Sequence, residues 1–251
     1  MMMKKSPLTR GTRYAVSRVR FALSALVIVC CPFSTTAQVD FPSIEAFLKS
    51  TLKGEGRLSV EAKGDLNGDG LEDWAGVIHR QPADSSPTYQ LYVLLRLRQG
   101  GYHAAEKSVE EEIPGAGCCW VESLEIRRSS IYVQNNAKTA STMEAATHQF
   151  KLYKGEWRLV GIRIFYTDLS PDAPATIDTD MNLLTGSVME KRQQGDNRPV
   201  IKSRRKKFAT YLLKDFDFSN RFGNEQVAPN SARNQAREAW ARSTCQKTRP
   251  G

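Results

Sequence analysis

From Phe41 onward the spacing of apolar residues changes period once, separating one helix from a long run of strands. In "FPSIEAFLKSTLK", Ile44, Phe47, Leu48 and Leu52 recur at intervals of three and four, which puts them on one helical face. Ser43 stands where a side-chain cap is needed and Gly54 where the helix should stop. Beyond Gly54 the period becomes two. Leu58, Val60 and Ala62 alternate with polar residues, and "DWAGVIHR" resumes after a glycine-rich loop as a buried strand. "YQLYVLLRLRQGGYHAAEKS" reads as strand, turn at Gly100 and Gly101, and strand. These segments make a four-stranded antiparallel meander.

The same style continues downstream. "VESLEIRRSSIYVQNNA" carries two strand signals around a polar turn, and "THQFKLYKGEWRLVGIRIFYTDL" is a hairpin turning at Lys154 and Gly155. Residues 168–180, "DLSPDAPATIDTD", read as loop by composition. A basic hairpin is expected at about 186–209, turning at Gly195 and Asp196, and a second helix around Phe208 to Lys214. Residues 219–251 are polar and poor in apolar side chains, the composition of a mobile tail. The expected fold is a mainly β single domain over residues 38–218, an antiparallel meander rich in hairpins, with one short N-terminal helix.

Residues 1–37 stand apart from this pattern. Lys4, Lys5, Arg10, Arg13, Arg18 and Arg20 form a basic stretch without an acid, followed by the apolar "FALSALVIVCCPF" and the small residues Thr35 and Ala37. That is the order of a cleavable signal peptide, and its apolar core is short for a membrane span. Cleavage before Gln38 fits best; an uncleaved anchor, or lipidation at Cys30 or Cys31, fits less well because no small residue precedes either cysteine. The expected location is periplasmic or secreted, with no transmembrane segment after cleavage.

Removing the leader lowers the formal net charge from +9 to +3. The remainder is uneven, +9 over residues 189–251 against −6 over residues 38–188. The basic whole-chain balance is therefore no argument for nucleic acid. The basic C-terminal part reads either as a solvated face or as a contact for an anionic envelope surface. Cys118, Cys119 and Cys245 are disulfide candidates in an oxidising compartment. Either Cys118 or Cys119 could join Cys245; a bond within the adjacent pair would be strained.

The densest chemical signal is "GDLNGDGLEDWAGVI", residues 64–78. Oxygen donors fall at Asp65, Asn67, Asp69 and Asp73, with the Leu71 carbonyl between them. Calcium takes six to eight hard oxygens, and Gly68 and Gly70 allow the tight coil that would present them. An EF-hand is excluded, because Gly76 stands where its bidentate glutamate belongs. The stretch resembles the aspartate-rich calcium loop of FG-GAP and VCBS-type repeats. That resemblance implies a structural Ca2+ held at 65–73 by Asp65, Asn67, Asp69, Leu71 and Asp73, in a loop joining two strands. Only one copy is present, so no propeller follows. The competing reading is a metal-free turn whose Asn and Asp side chains bond local amides. A second resemblance, over "GEWRLVGIRIFYTDL" and "NLLTGSV", is to exported bacterial proteins of unknown function, and it implies export and one compact domain.

No catalytic constellation accompanies the loop. His79, His103 and His148 sit in no H-E-x-x-H motif and are expected to be solvent-facing or satisfied. Glu111 and Glu112 read as a solvated acidic run, and "GAGCCWVE" as packing around Trp120. The sequence favours a non-enzymatic binding or structural module with a protein or cell-envelope partner. The alternative is an envelope-polymer hydrolase, which would need two carboxylates facing each other across a cleft.

Overall fold

Among the described residues, the expected change of period is realised as one α-helix followed by twelve strands. The structure, a computed structural model, describes residues 40–52, 54, 56–81, 87–112, 119–170 and 174–218. These belong to one compact unit, Ala37–Gly251. The expected leader, the tail, Cys118 and Cys245 lie outside the described residues. Helix α1, Ile44–Leu52, is capped as its sequence requires: the Ala46 N–H donates to Ser43 Oγ at 3.2 Å.

Two antiparallel sheets follow. The first contains β1 (Gly56–Gly64), β2 (Asp73–Arg80), β3 (Thr88–Arg96) and β4 (Tyr102–Lys107) in the order 1-2-3-4, with the short β5 (Glu111–Glu112) also paired to β3. The second contains β6 (Cys119–Arg127), β7 (Ser130–Lys138), β8 (Thr142–Tyr153), β9 (Glu156–Asp168), β10 (Ala175–Asn182), β11 (Ser187–Gln194) and β12 (Val200–Arg205), each paired with its sequence neighbours. The meander and the basic hairpin are thus where their periodicity placed them.

The first sheet is covered on both faces, which explains the nearly continuous burial of β2 and β3. On one face α1 lays Ile44 and Phe47 against Trp74, Ile78, Tyr92 and Leu94. On the other, Val77, Leu91 and Val93 meet the inner residues of the second sheet, among them Ile131, Val133, Phe150 and Ile162. β1 passes close to β6: a Cβ on Gly64 would lie 2.6 Å from the Ile126 side chain, so only glycine fits there.

Two expectations are corrected. Residues 175–180 are strand, not loop. In β10, Ile177, Thr179 and Met181 point to the inner face, where Thr179 and Met181 are buried, while Thr176, Asp178 and Asp180 face outward, and neighbours on both sides supply the ladder that the two aspartates alone would not favour. The second helix is reduced to a 3-10 turn, Leu213–Asp215. The chain around it runs extended because its backbone bonds go to other segments: the Leu159 N–H donates to the Tyr211 carbonyl at 2.9 Å and the Val109 N–H to the Phe216 carbonyl at 3.1 Å.

This strap carries a column of rings between the sheets. Phe216 lies 4.8 Å from Phe150 and 5.1 Å from Phe218, which in turn lies 6.2 Å from Tyr89 of β3. Phe216→Ala should therefore destabilise the protein by about 3–5 kcal/mol, the usual cost of emptying a buried aromatic site. Urea denaturation checks this, and a loss below about 1 kcal/mol would show that the strap is not part of the core.

Candidate functional site

The aspartate-rich loop connects β1 to β2, as the alternation on its flanks predicts, and Gly64 pairs with Asp73 at its base. Gly68 and Gly70 both have φ of +82°, the left-handed conformation that the coil needs. Asp65 accepts from the Gly68 N–H at 2.7 Å and the Gly70 N–H at 3.0 Å. Asn67 Oδ1 accepts from the Asp69 N–H at 3.0 Å, and Asp69 Oδ1 from the Leu71 N–H at 2.8 Å. The loop side chains thus stand in for the missing ladder partners of successive amides.

Asp73 does a different job. It is fully buried, and its two oxygens accept from the Leu66 N–H and the Arg96 N–H, each at 2.8 Å. One carboxylate therefore ties the loop to the end of β3, while Leu66 is buried in the core beneath it. Burial pushes the Asp73 carboxyl above its ordinary value, opposed by the two amide bonds and reinforced by the charges of Asp69 and Asp65. Gly76, which rules out an EF-hand, has its own reason to be glycine: a Cβ there would lie 2.2 Å from the Trp74 ring.

The donors fit a hard cation in kind, since all are oxygens and an oxygen holding one N–H retains a second lone pair. In the arrangement described, each carboxylate is turned toward a loop or strand amide. Among the described residues no three His, Cys, Asp or Glu side chains converge as a metal cluster.

The other candidates separate. His103 Nδ1 lies 2.8 Å from Asp40, and Arg57 Nε donates to His79 Nδ1 at 3.3 Å. His148 departs from expectation: it is buried on the inner face of β8, and its Nδ1 has no partner. Burial pushes this imidazole down to about 4. Glu112 pairs with Thr88 across β5 and β3, so the acidic run ends in a short ladder. Cys119 opens β6, two residues from the buried Val121.

Two features were missed by sequence reasoning. A cavity of 260 Å³ lies between β4 and the β8–β9 hairpin, lined by His103, Glu106, Leu152, Glu156, Trp157 and Lys214. Of its two carboxylates, Glu156 is held by Arg158 through two N–H bonds of 3.1 and 2.6 Å. The second feature is the outer face of the seven-stranded sheet. A row runs across it from Ile201 through Lys191, Asp178, Phe165, Ala145 and Asn136. Arg163 grips Asp178 there with two bonds of 3.0 and 2.8 Å. No element among the described residues covers this face. The alternation in "ATIDTDMN" was the signal available for it.

Comparison with known proteins returned no match from protein-family models, curated proteins or solved structures.

The buried histidine makes stability depend on pH. Between 6.5, its ordinary value, and about 4, the unfolded chain binds a proton that the folded chain refuses, so stability falls as pH drops through that window. The loss should reach about 2 kcal/mol between about pH 7.5 and about pH 5. His148→Leu should remove this share of the slope in urea titrations; an unchanged slope would exclude His148 as its source. Asp73→Ala, which strands the Leu66 and Arg96 amides, should cost about 2–4 kcal/mol at pH 7, measured the same way.

Proposed function

We propose that the chain is an exported, non-enzymatic binding module that engages a protein or envelope component through the open face of its seven-stranded sheet, with one calcium ion supporting the β1–β2 loop. The observation that carries the binding reading is that open face. Its inner side is packed, its outer side is uncovered among the described residues, and Met143, Phe165, Met189 and Ile201 stand exposed on it. Apolar side chains gathered on one solvated face are the usual mark of an interaction surface. The leader-like residues 1–37 support export.

The calcium reading is supported by the oxygen donors Asp65, Asn67, Asp69, the Leu71 carbonyl and Asp73, and by the mutual charge of the three aspartates felt at Asp73. When bound, the ion would supply the positive charge that lets these carboxylates share one loop. The chain's own residues would hold the loop shape, through the two glycines and the Asp73 bridge to Arg96.

Melting of metal-stripped protein tests the ion. Calcium at about ten times its Kd should add about 1.4 kcal/mol and raise Tm by about 3–6 °C. Magnesium should not, and Asp69→Ala should abolish the rise; no rise in saturating calcium would leave the loop as a metal-free turn. Retention on isolated envelope fractions tests the face. Phe165→Asp should reduce retention several-fold at unchanged Tm, whereas equal retention would remove the open face as the binding surface.

A further inference from the structure

The rung Thr142, Asp168, Ala175 and Gln194 marks one end of the seven-stranded sheet. Exposed apolar side chains concentrate at that end. Met143 is the second residue of β8, Phe165 lies near the end of β9 and Leu169 just past it, and Val200 and Ile201 open β12. Val200 and Ile201 are the most exposed large apolar residues described, at 57% and 61%. Across β8 to β12 this rim is about 19 Å wide at normal strand spacing.

The same hairpin is strongly basic. Residues 186–209 hold eight Lys and Arg against Glu190 and Asp196. Every residue of β12 is exposed, and its outer edge pairs with no described strand. Val200 lies opposite Arg192 and Ile201 opposite Lys191, so apolar and cationic side chains alternate at the hairpin's distal end. The acids nearby are mostly engaged. Arg163 holds Asp178, Arg192 holds Glu190 at 2.6 Å, and Ser170 donates twice to Asp168. Glu144 lies across from Tyr166 on the inner face, which leaves Asp180 on the outer face of β10 and Asp196 in the turn.

We propose that the β11–β12 hairpin and the adjoining rim dock on an anionic lipid bilayer, with Val200 and Ile201 entering the headgroup boundary and the β12 cations meeting lipid phosphates. This rests on the binding reading above and names its partner. The chemistry favours a bilayer over the other occupants. A soluble polyanion would neutralise the cations but leave Val200 and Ile201 in water. A second copy paired edge to edge would crowd Lys202, Arg204 and Arg205 near the same cations of its partner. A charged headgroup layer over an acyl boundary accepts both kinds of side chain together.

The unit Ala37–Gly251 contains both hydrophobic cores and can be tested without the leader. Co-sedimentation with phosphatidylcholine vesicles containing about 30% phosphatidylglycerol, and with pure phosphatidylcholine, is the measurement. Binding should require the anionic lipid and weaken as salt rises. Lys202→Glu/Arg205→Glu and Val200→Ser/Ile201→Ser should each weaken it about tenfold or more at unchanged Tm, since the altered side chains are exposed. Binding lost in the charge variant but unchanged in the apolar variant would overturn the proposal in favour of a soluble polyanion. Failure of the parent protein to bind anionic vesicles would overturn it outright, and the unaltered dependence of envelope retention on Phe165 would then leave the wider binding reading in place with a different partner.

Discussion

The contact on which the rest of this protein depends is the aromatic column between its two sheets. Neither sheet closes its own core. The inner faces of β2 and β3 and of β7 to β9 are apolar, and the gap between them is filled by a strap that contributes Leu213, Phe216 and Phe218. Rings in edge and tilted contact connect His148 and Phe150 on one side to Tyr89 on the other. Such contacts add directional attraction to the larger gain from excluding water. The strap is also bonded at both borders, to β9 through Tyr211 and to Val109 through Phe216. Its backbone is thereby satisfied without a helix.

That closure decides which surfaces remain available. With α1 covering one face of the first sheet and the second sheet covering the other, the strongest apolar strands are used up in packing. Among the described residues the second sheet is covered on one side only, so its other side is the large solvated face. At the far edge, β10 and β11 still send Met181 and Val188 into the core, but β12 sends nothing. Its Val200 and Ile201 stay exposed to solvent. The aspartate-rich loop is the opposite case: Asp73 and Leu66 bind it tightly to the body, so any ion held there acts on a loop already anchored by protein contacts.

Much of this was legible in the residues. The alternation of Leu58, Val60 and Ala62, the capped helix at Ser43, the Lys154–Gly155 turn and the basic hairpin each carry local physics that the fold respects. At Lys154 and Gly155 the φ angles of 54° and 82° are those of the tight turn the hairpin needs. The failures have a common cause. "ATIDTDMN" and the Phe208–Lys214 segment are ambiguous by propensity, and each takes its conformation from partners distant in sequence. Asp178 is acceptable in a strand because Arg163 is beside it, and Tyr211 is extended because β9 offers an amide.

By itself the sequence determined the class of the fold, the position of its helix, most strand boundaries and the loop rich in hard oxygen donors. Those features follow from periodicity, caps and turns, which act over a few residues. Only the tertiary structure decided that Asp73 bonds the amides of Leu66 and Arg96, that His148 is buried with an unpartnered nitrogen, and which sheet face stays open. These depend on which distant segments meet, and hydrogen bonding and burial are settled only when the strap brings the two sheets together.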